Sequence, residues 1–142
     1  GHLLIPAFAV GRTQDILFLL STLKRQSQIP EIPIFLDSPM GINATEIFAD
    51  YPEWHRLSRE EVDHLCASVT LVKSQQQSNE LLARKEMSIV IAGSGMLTGG
   101  RILTHLTRRL PDERNTVVLV GYQPPSTRGS LLASGATELK IY

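Results

Sequence analysis

Short apolar runs alternate along this chain with stretches of helical spacing, and that alternation limits the possible folds more than any other feature. Leu3-Leu4-Ile5, Ile34-Phe35-Leu36, Val69–Val72, Ile89-Val90-Ile91 and Val117–Val120 read as strands, and Leu139–Ile141 as the start of a sixth. These runs are apolar at successive positions rather than at every second one. That pattern belongs to strands buried on both faces, as in a parallel sheet covered by helices. The expected fold is therefore α/β: a Rossmann-like three-layer sandwich, with a mostly parallel sheet of about five to six strands and helices on both faces.

The intervening segments supply the helices. Ile16, Leu17, Leu19, Leu20 and Leu23 share one apolar face. A second helix is expected from about Ile42 to Ala49, ended by Pro52. Ser58 with Glu61 three residues on makes a capping box, opening a helix to about Cys66. A helix over about Gln76–Lys85 can be capped by Ser74 or Ser78, another runs from the glycine-rich segment to about Leu110, and a short one lies near Leu131-Leu132.

Composition bounds the function classes. A chain of 142 residues with 42% hydrophobic and 20% charged residues suits one globular domain, residues 1–142. Lys and Arg (14) balance Asp and Glu (14), which argues against nucleic-acid binding by bulk charge and leaves a local basic face open. The lone Cys66 cannot form an intrachain disulfide and fits a reducing, cytoplasmic setting. No apolar run approaches a membrane span. The chain starts at Gly1-His2 without an initiator Met and stops at Lys140-Ile141-Tyr142 inside an apolar run, so it is expected to be part of a larger protein.

In a parallel sheet, ligands bind at the carboxyl ends of the strands. Those ends are Pro6–Arg12, Asp37–Met40, Lys73–Ser78, Gly93–Gly100 and Gly121–Gly129, the glycine-, serine- and proline-rich parts of the chain. Gly93–Gly100 is the most suggestive, because a strand passing through glycines into a helix presents backbone N–H groups to an anion. It fits neither nucleotide fingerprint. Thr98 stands where a dinucleotide loop needs its third glycine, and no acidic residue follows about twenty positions on. Gly95 and Gly100 have P-loop spacing, but Arg101 replaces the lysine and Ile102 the magnesium-binding hydroxyl. A tight turn with no ligand remains open.

Other chemistries find little support. His2, His55, His64 and His105 are scattered, with no metal-binding spacing. His55 and His64 read as surface residues, and His105 as packed or exposed on the helix after the glycine loop. Asp37 is either a general acid or base at a strand end or the cap of the next turn.

Five motifs in order carry a resemblance: Leu4–Gln14 (LIPAFAVGRTQ), Asp37–Met40 (DSPM), Ala92–Leu103 (AGSGMLTGGRIL), Val120–Gln123 (VGYQ) and Thr127–Gly129 (TRG). Together they are similar to the β-CASP domain of RNA-processing metallo-β-lactamase-fold nucleases, relatives of the endonuclease that cleaves pre-mRNA 3′ ends. The resemblance implies an α/β insertion capping a metallo-β-lactamase domain, with single-stranded RNA in the cleft between them. It implies two zinc ions in that other domain of the parent. The family's His-x-His-x-Asp-His run and its catalytic acid and histidines are absent from this sequence, so no catalytic or metal-binding residue is expected here, and the chain alone is expected to be inactive.

By the same resemblance, the RNA backbone is expected to meet the N–H groups of Ser94–Gly100 and the hydroxyls of Ser94 and Thr98. Arg12, Ser38, Ser94, Gly95, Met96, Thr98, Gly99, Gly100, Thr127 and Arg128 are the candidate contacts. For Arg12 a buried structural pair is the other reading, and Arg128 can equally face the partner domain. With only Phe8 and Tyr122 in these loops, base stacking is expected to be weak. Family members often carry Ala-Ser-Ser-Gly-Met where this chain has Gly93 for the first serine. The alternatives are a free-standing α/β module holding a nucleotide or phosphorylated ligand at Gly93–Gly100, and an interaction domain whose glycine loops dock a protein.

Overall fold

The computed structural model describes residues 1–142. Five strands, β1 (His2–Pro6), β2 (Ile34–Leu36), β3 (Val69–Leu71), β4 (Ser88–Ala92) and β5 (Thr116–Val117), form one sheet in the order β3-β2-β4-β1-β5. Every pairing is parallel. The α-helices are α1 (Arg12–Arg25), α2 (Pro39–Asp50), α3 (Arg59–Ala67), α4 (Gln75–Ala83), α5 (Arg101–Arg109) and α6 (Arg128–Ala133), with a 3-10 turn at Pro52–Trp54. No helix is long and apolar enough to cross a membrane.

The period-two alternation of the strands divides the interior into two cores. Ile5, Ile34, Leu36, Ile89 and Ile91 point to one face, where they meet Leu17 and Leu20 of α1, Ile42 of α2 and Leu65 of α3. Leu4, Val90 and Ala92 point to the other, against Leu81 of α4 and Ile102, Leu103 and Leu106 of α5. All five residues of the central strand β4 are buried. Each large apolar side chain buried this way contributes roughly 1.5–3 kcal/mol.

Chain direction explains the layering. From β1 through β2 to β3 the path moves one way across the sheet, with α1, α2 and α3 on the first face. From β3 it turns back to β4 and β5, and α4 and α5 cover the second face. The loop after β4 therefore leaves toward one face, while the loops after its neighbours β1 and β2 leave toward the other. A crevice opens between them at the carboxyl edge, the topological switch point of a doubly wound sheet.

Two expected elements differ. The fifth strand stops at Val117, with one more ladder bond from the Val118 N–H to the Leu4 carbonyl. Leu139–Ile141 forms no strand; the carbonyls of Lys140 and Ile141 accept instead from the Arg128 guanidinium.

Candidate functional site

The switch-point crevice is a cavity of about 480 Å³ lined by Ala7, Phe8 and Ala9 after β1, Asp37–Met40 after β2, and Gly93, Ser94, Gly100 and Arg101 after β4. Three chain segments far apart in sequence meet there because β4 lies between β1 and β2.

A buried polar network fixes the floor. Asp37 directly follows β2 and has no solvent exposure. Its Oδ2 accepts from Ser78 Oγ of α4 at 2.6 Å and lies 2.7 Å from Nε2 of His105. Its Oδ1 accepts from Nη1 of Arg101 at 2.6 Å. On the far side of the imidazole, Arg109 Nη1 meets His105 Nδ1, and Arg109 Nη2 donates to the Leu81 carbonyl at 2.7 Å. A guanidinium can only donate, so Nδ1 is the acceptor, and Nε2 carries the hydrogen given to Asp37. Burial opposes the Asp37 charge, but hydrogen bonds from His105, Ser78 and Arg101 outweigh it and hold the carboxyl below its ordinary pKa.

Asp37 therefore neither caps the following helix nor offers a free oxygen for proton transfer. The cap is Ser38, whose Oγ accepts from the Gly41 N–H at 3.1 Å. His105 is buried, as one of its two readings had it, but within a polar network rather than a purely apolar one.

The glycine loop is folded on itself. Ser94 Oγ accepts from the Thr98 and Gly99 N–H groups at 3.0 and 3.1 Å. The Ser94 N–H donates to the Gly99 carbonyl, and the Leu97 N–H to the Ser94 carbonyl. Four of the seven N–H groups from Ser94 to Gly100 are thus engaged inside the loop. Those of Gly95, Met96 and Gly100, with that of Arg101, have no partner in the chain. Gly100 has φ +76°, and a Cβ there would run into the Gly93 carbonyl, so only glycine turns the chain into α5 at this point. The Phe8 ring lies against Gly95, where a Cβ would come within 3.0 Å of it.

The segment from Gly121 to Gly129 braces this loop. Gln123 Nε2 donates to the Gly95 carbonyl at 2.9 Å, the Gly129 N–H to the Met96 carbonyl at 3.3 Å, and Arg128 Nη1 to the Leu97 carbonyl at 3.2 Å. Thr127 caps α6 by accepting from the Ser130 N–H.

The structure thus sorts the ten sequence candidates into groups. Ser38, Ser94 and Gly100 line the crevice, and Gly95, Met96, Thr98 and Gly99 form the loop beside it. Thr127 and Arg128 sit in the brace, with the Arg128 guanidinium on three carbonyls. Arg12 opens α1 with its side chain 47% exposed and Asp15 at 3.7 Å, so it is not a buried structural pair. Sequence reasoning missed Arg101, Arg109 and the crevice walls Phe8 and Met40. The spacing of Arg101, His105 and Arg109, each four residues from the last on a helix with apolar neighbours, was the available signal.

Comparison with known proteins agrees with this architecture. The family model described as Beta-Casp domain matches residues 13–132. The chain is 39% identical to Ribonuclease TTHA0252 of Thermus thermophilus, covering 99% of this chain and 34% of that protein. It is 33% identical to an RNase J-like protein of Methanocaldococcus jannaschii, over 100% of this chain and 33% of the relative. With Transcription termination factor FttA of Pyrococcus horikoshii it shares 35% identity, over 99% of this chain and 22% of the relative. The chain thus spans about a third or less of these relatives, and over that span, on the strength of the family match and the fold, it belongs to the Beta-Casp domain family.

Proposed function

We propose that this chain is the RNA-facing β-CASP domain of a zinc-dependent ribonuclease of the metallo-β-lactamase superfamily. It supplies one wall of a cleft for single-stranded RNA, and the parent's metallo-β-lactamase domain supplies the other. The observation that carries the reading is the switch-point crevice of a Beta-Casp fold, edged by the unpartnered N–H groups of Gly100 and Arg101 and by the hydroxyls of Ser38 and Ser94. Donors of this kind hold a sugar–phosphate backbone in place without reading its sequence. Ser38, Ser94, Gly95, Met96, Gly100 and Arg12 are the groups on this side with donors to offer. Thr98 and Gly99 shape the loop, and Thr127 and Arg128 brace it.

The residues present do not fit a zinc centre. No three His, Cys, Asp or Glu side chains converge, and Asp37 and His105 are bonded to each other. On this reading the two zinc ions and the hydrolytic step belong to the parent's other domain. The test compares two proteins. The parent is expected to cleave single-stranded RNA with zinc bound, and the 142-residue chain alone to bind no stoichiometric zinc and cleave nothing. Zinc or cleavage in the chain alone overturns the assignment.

A further inference from the structure

The crevice has chemistry that contact with an RNA backbone does not use. Its walls are apolar: the Phe8 ring with Ala7 and Ala9 on one side, Pro39 and Met40 on the other. Phe8 and Met40 are 44% and 68% exposed, unlike the large apolar side chains of the two cores. The backbone of Gly95 supports one part of the Phe8 ring, so the ring is a braced platform rather than a mobile one.

The inner end is polar and rich in donors. Ser38 is 7% exposed; its oxygen accepts from Gly41, while its own hydrogen has no acceptor in the chain. Arg101 reaches Asp37 and the Val72 carbonyl through Nη1 alone, leaving Nε and Nη2 without a partner. The network behind Asp37 holds this guanidinium in position before any ligand arrives.

Gly93 sets the depth. A Cβ there would sit 3.6 Å from Ser38 Oγ and 3.8 Å from the Ala7 carbonyl, in ordinary contact, so it would narrow the space between the walls without forcing the backbone. A cavity of this volume, with apolar walls and a few fixed donors, has the usual make-up of a site for a flat organic group.

The geometry points to the crevice as a subsite for one unstacked nucleobase of the bound RNA strand. Its face stacks on Phe8 against Met40, and its acceptor edge meets Arg101 and takes the one Ser38 hydrogen, leaving the backbone to the loop N–H groups and Ser94. Single-stranded RNA is recognised in this way, by bases splayed onto aromatic rings and bonded along their edges. Arg101 favours bases that present carbonyl or ring-nitrogen acceptors. The inference rests on the RNA-facing reading above and adds a base contact to it. It also revises the expectation of weak stacking, since one braced ring with an opposing methionine suffices for one base.

The experiment uses the full-length parent and fluorescence anisotropy with two strands of equal length and charge, a uridine oligoribonucleotide and its abasic counterpart. The parent is expected to bind the base-bearing strand about tenfold more tightly. Phe8→Ala and Gly93→Ala should each remove most of that ratio, leave the abasic affinity unchanged, and keep the thermal midpoint of the parent. If Phe8→Ala lowers the midpoint, Gly93→Ala and Met40→Ala decide by the same ratio. Equal affinity of the parent for both strands, or variants that weaken both strands alike, overturns the subsite while leaving RNA binding intact. Variants that shift the midpoint without changing either affinity assign the crevice to contact with the parent's other domain and also overturn it. A parent that binds neither strand removes the RNA-facing reading together with the subsite.

Discussion

Arg101, His105 and Arg109 form a polar stripe on a helix whose neighbours Ile102, Leu103 and Leu106 are packed in a core. The stripe survives burial because each group has a partner: Asp37, both Asp37 and Arg109, and the Leu81 carbonyl respectively. Removing His105 leaves Asp37 and Arg109 each short of a buried hydrogen bond, which typically costs about 1–3 kcal/mol. His105→Ala is expected to lower stability by roughly that amount in urea unfolding at pH 7, well beyond the cost of a surface substitution. The pH dependence has a definite sign. The folded state lowers the Asp37 pKa, so its contribution is complete above the ordinary carboxyl value of 3.8 and is lost as pH falls through the lower folded value. Asp37→Asn should therefore be less stable at neutral pH and show a shallower fall of stability below pH 3.8, measured by urea unfolding across an acid series. The sequence made Asp37 a candidate and left its role divided between acid–base chemistry and capping. What decides the role are partners 41, 64 and 68 residues away, brought together by sheet order that no local pattern encodes.

Most elements were legible one at a time. The box Ser58–Glu61 opens α3 as its spacing predicts, because both groups lie within one helical turn. The choice between Ser74 and Ser78 for α4 was not legible. Ser74 caps the helix, and Ser78 is drawn inward by Asp37. The extra strand at Leu139–Ile141 had the right composition, but apolar composition does not supply a ladder partner, and two of its carbonyls meet Arg128 instead. The glycine loop was read correctly as a strand-to-helix turn, yet which glycines are obligatory depends on geometry. Gly100→Ala combines positive φ with a collision at Gly93 and is expected to cost at least 1–3 kcal/mol, roughly. Gly99→Ala meets nothing within 4 Å and should change stability by less than about 0.5 kcal/mol. Thermal unfolding of the two variants side by side tests the difference.

At the scale of the molecule, neutrality bears on the proposed hold on RNA. With 14 basic and 14 acidic side chains, attraction from the bulk charge is absent, and the cations on the crevice side are few. Each phosphate neutralised on a single strand contributes about 0.7 to the slope of log affinity against log salt. Arg12 is exposed at the start of α1 with only Asp15 nearby. In the parent, Arg12→Ala should reduce that slope by about 0.7 and weaken binding by a similar factor for every RNA sequence, read from a salt titration of anisotropy. Sheet order also governs how such a domain is made. β1 precedes the other four strands of this sheet but pairs with β4, 86 residues later, and with β5. β2 and β3 are only 35 residues apart and can pair with each other before β4 exists. Until β4 slots between β2 and β1, the apolar strand β1 has no ladder partner and both cores stand open. Folding of this topology is therefore late and cooperative, with β1 waiting longest of the five strands for its place.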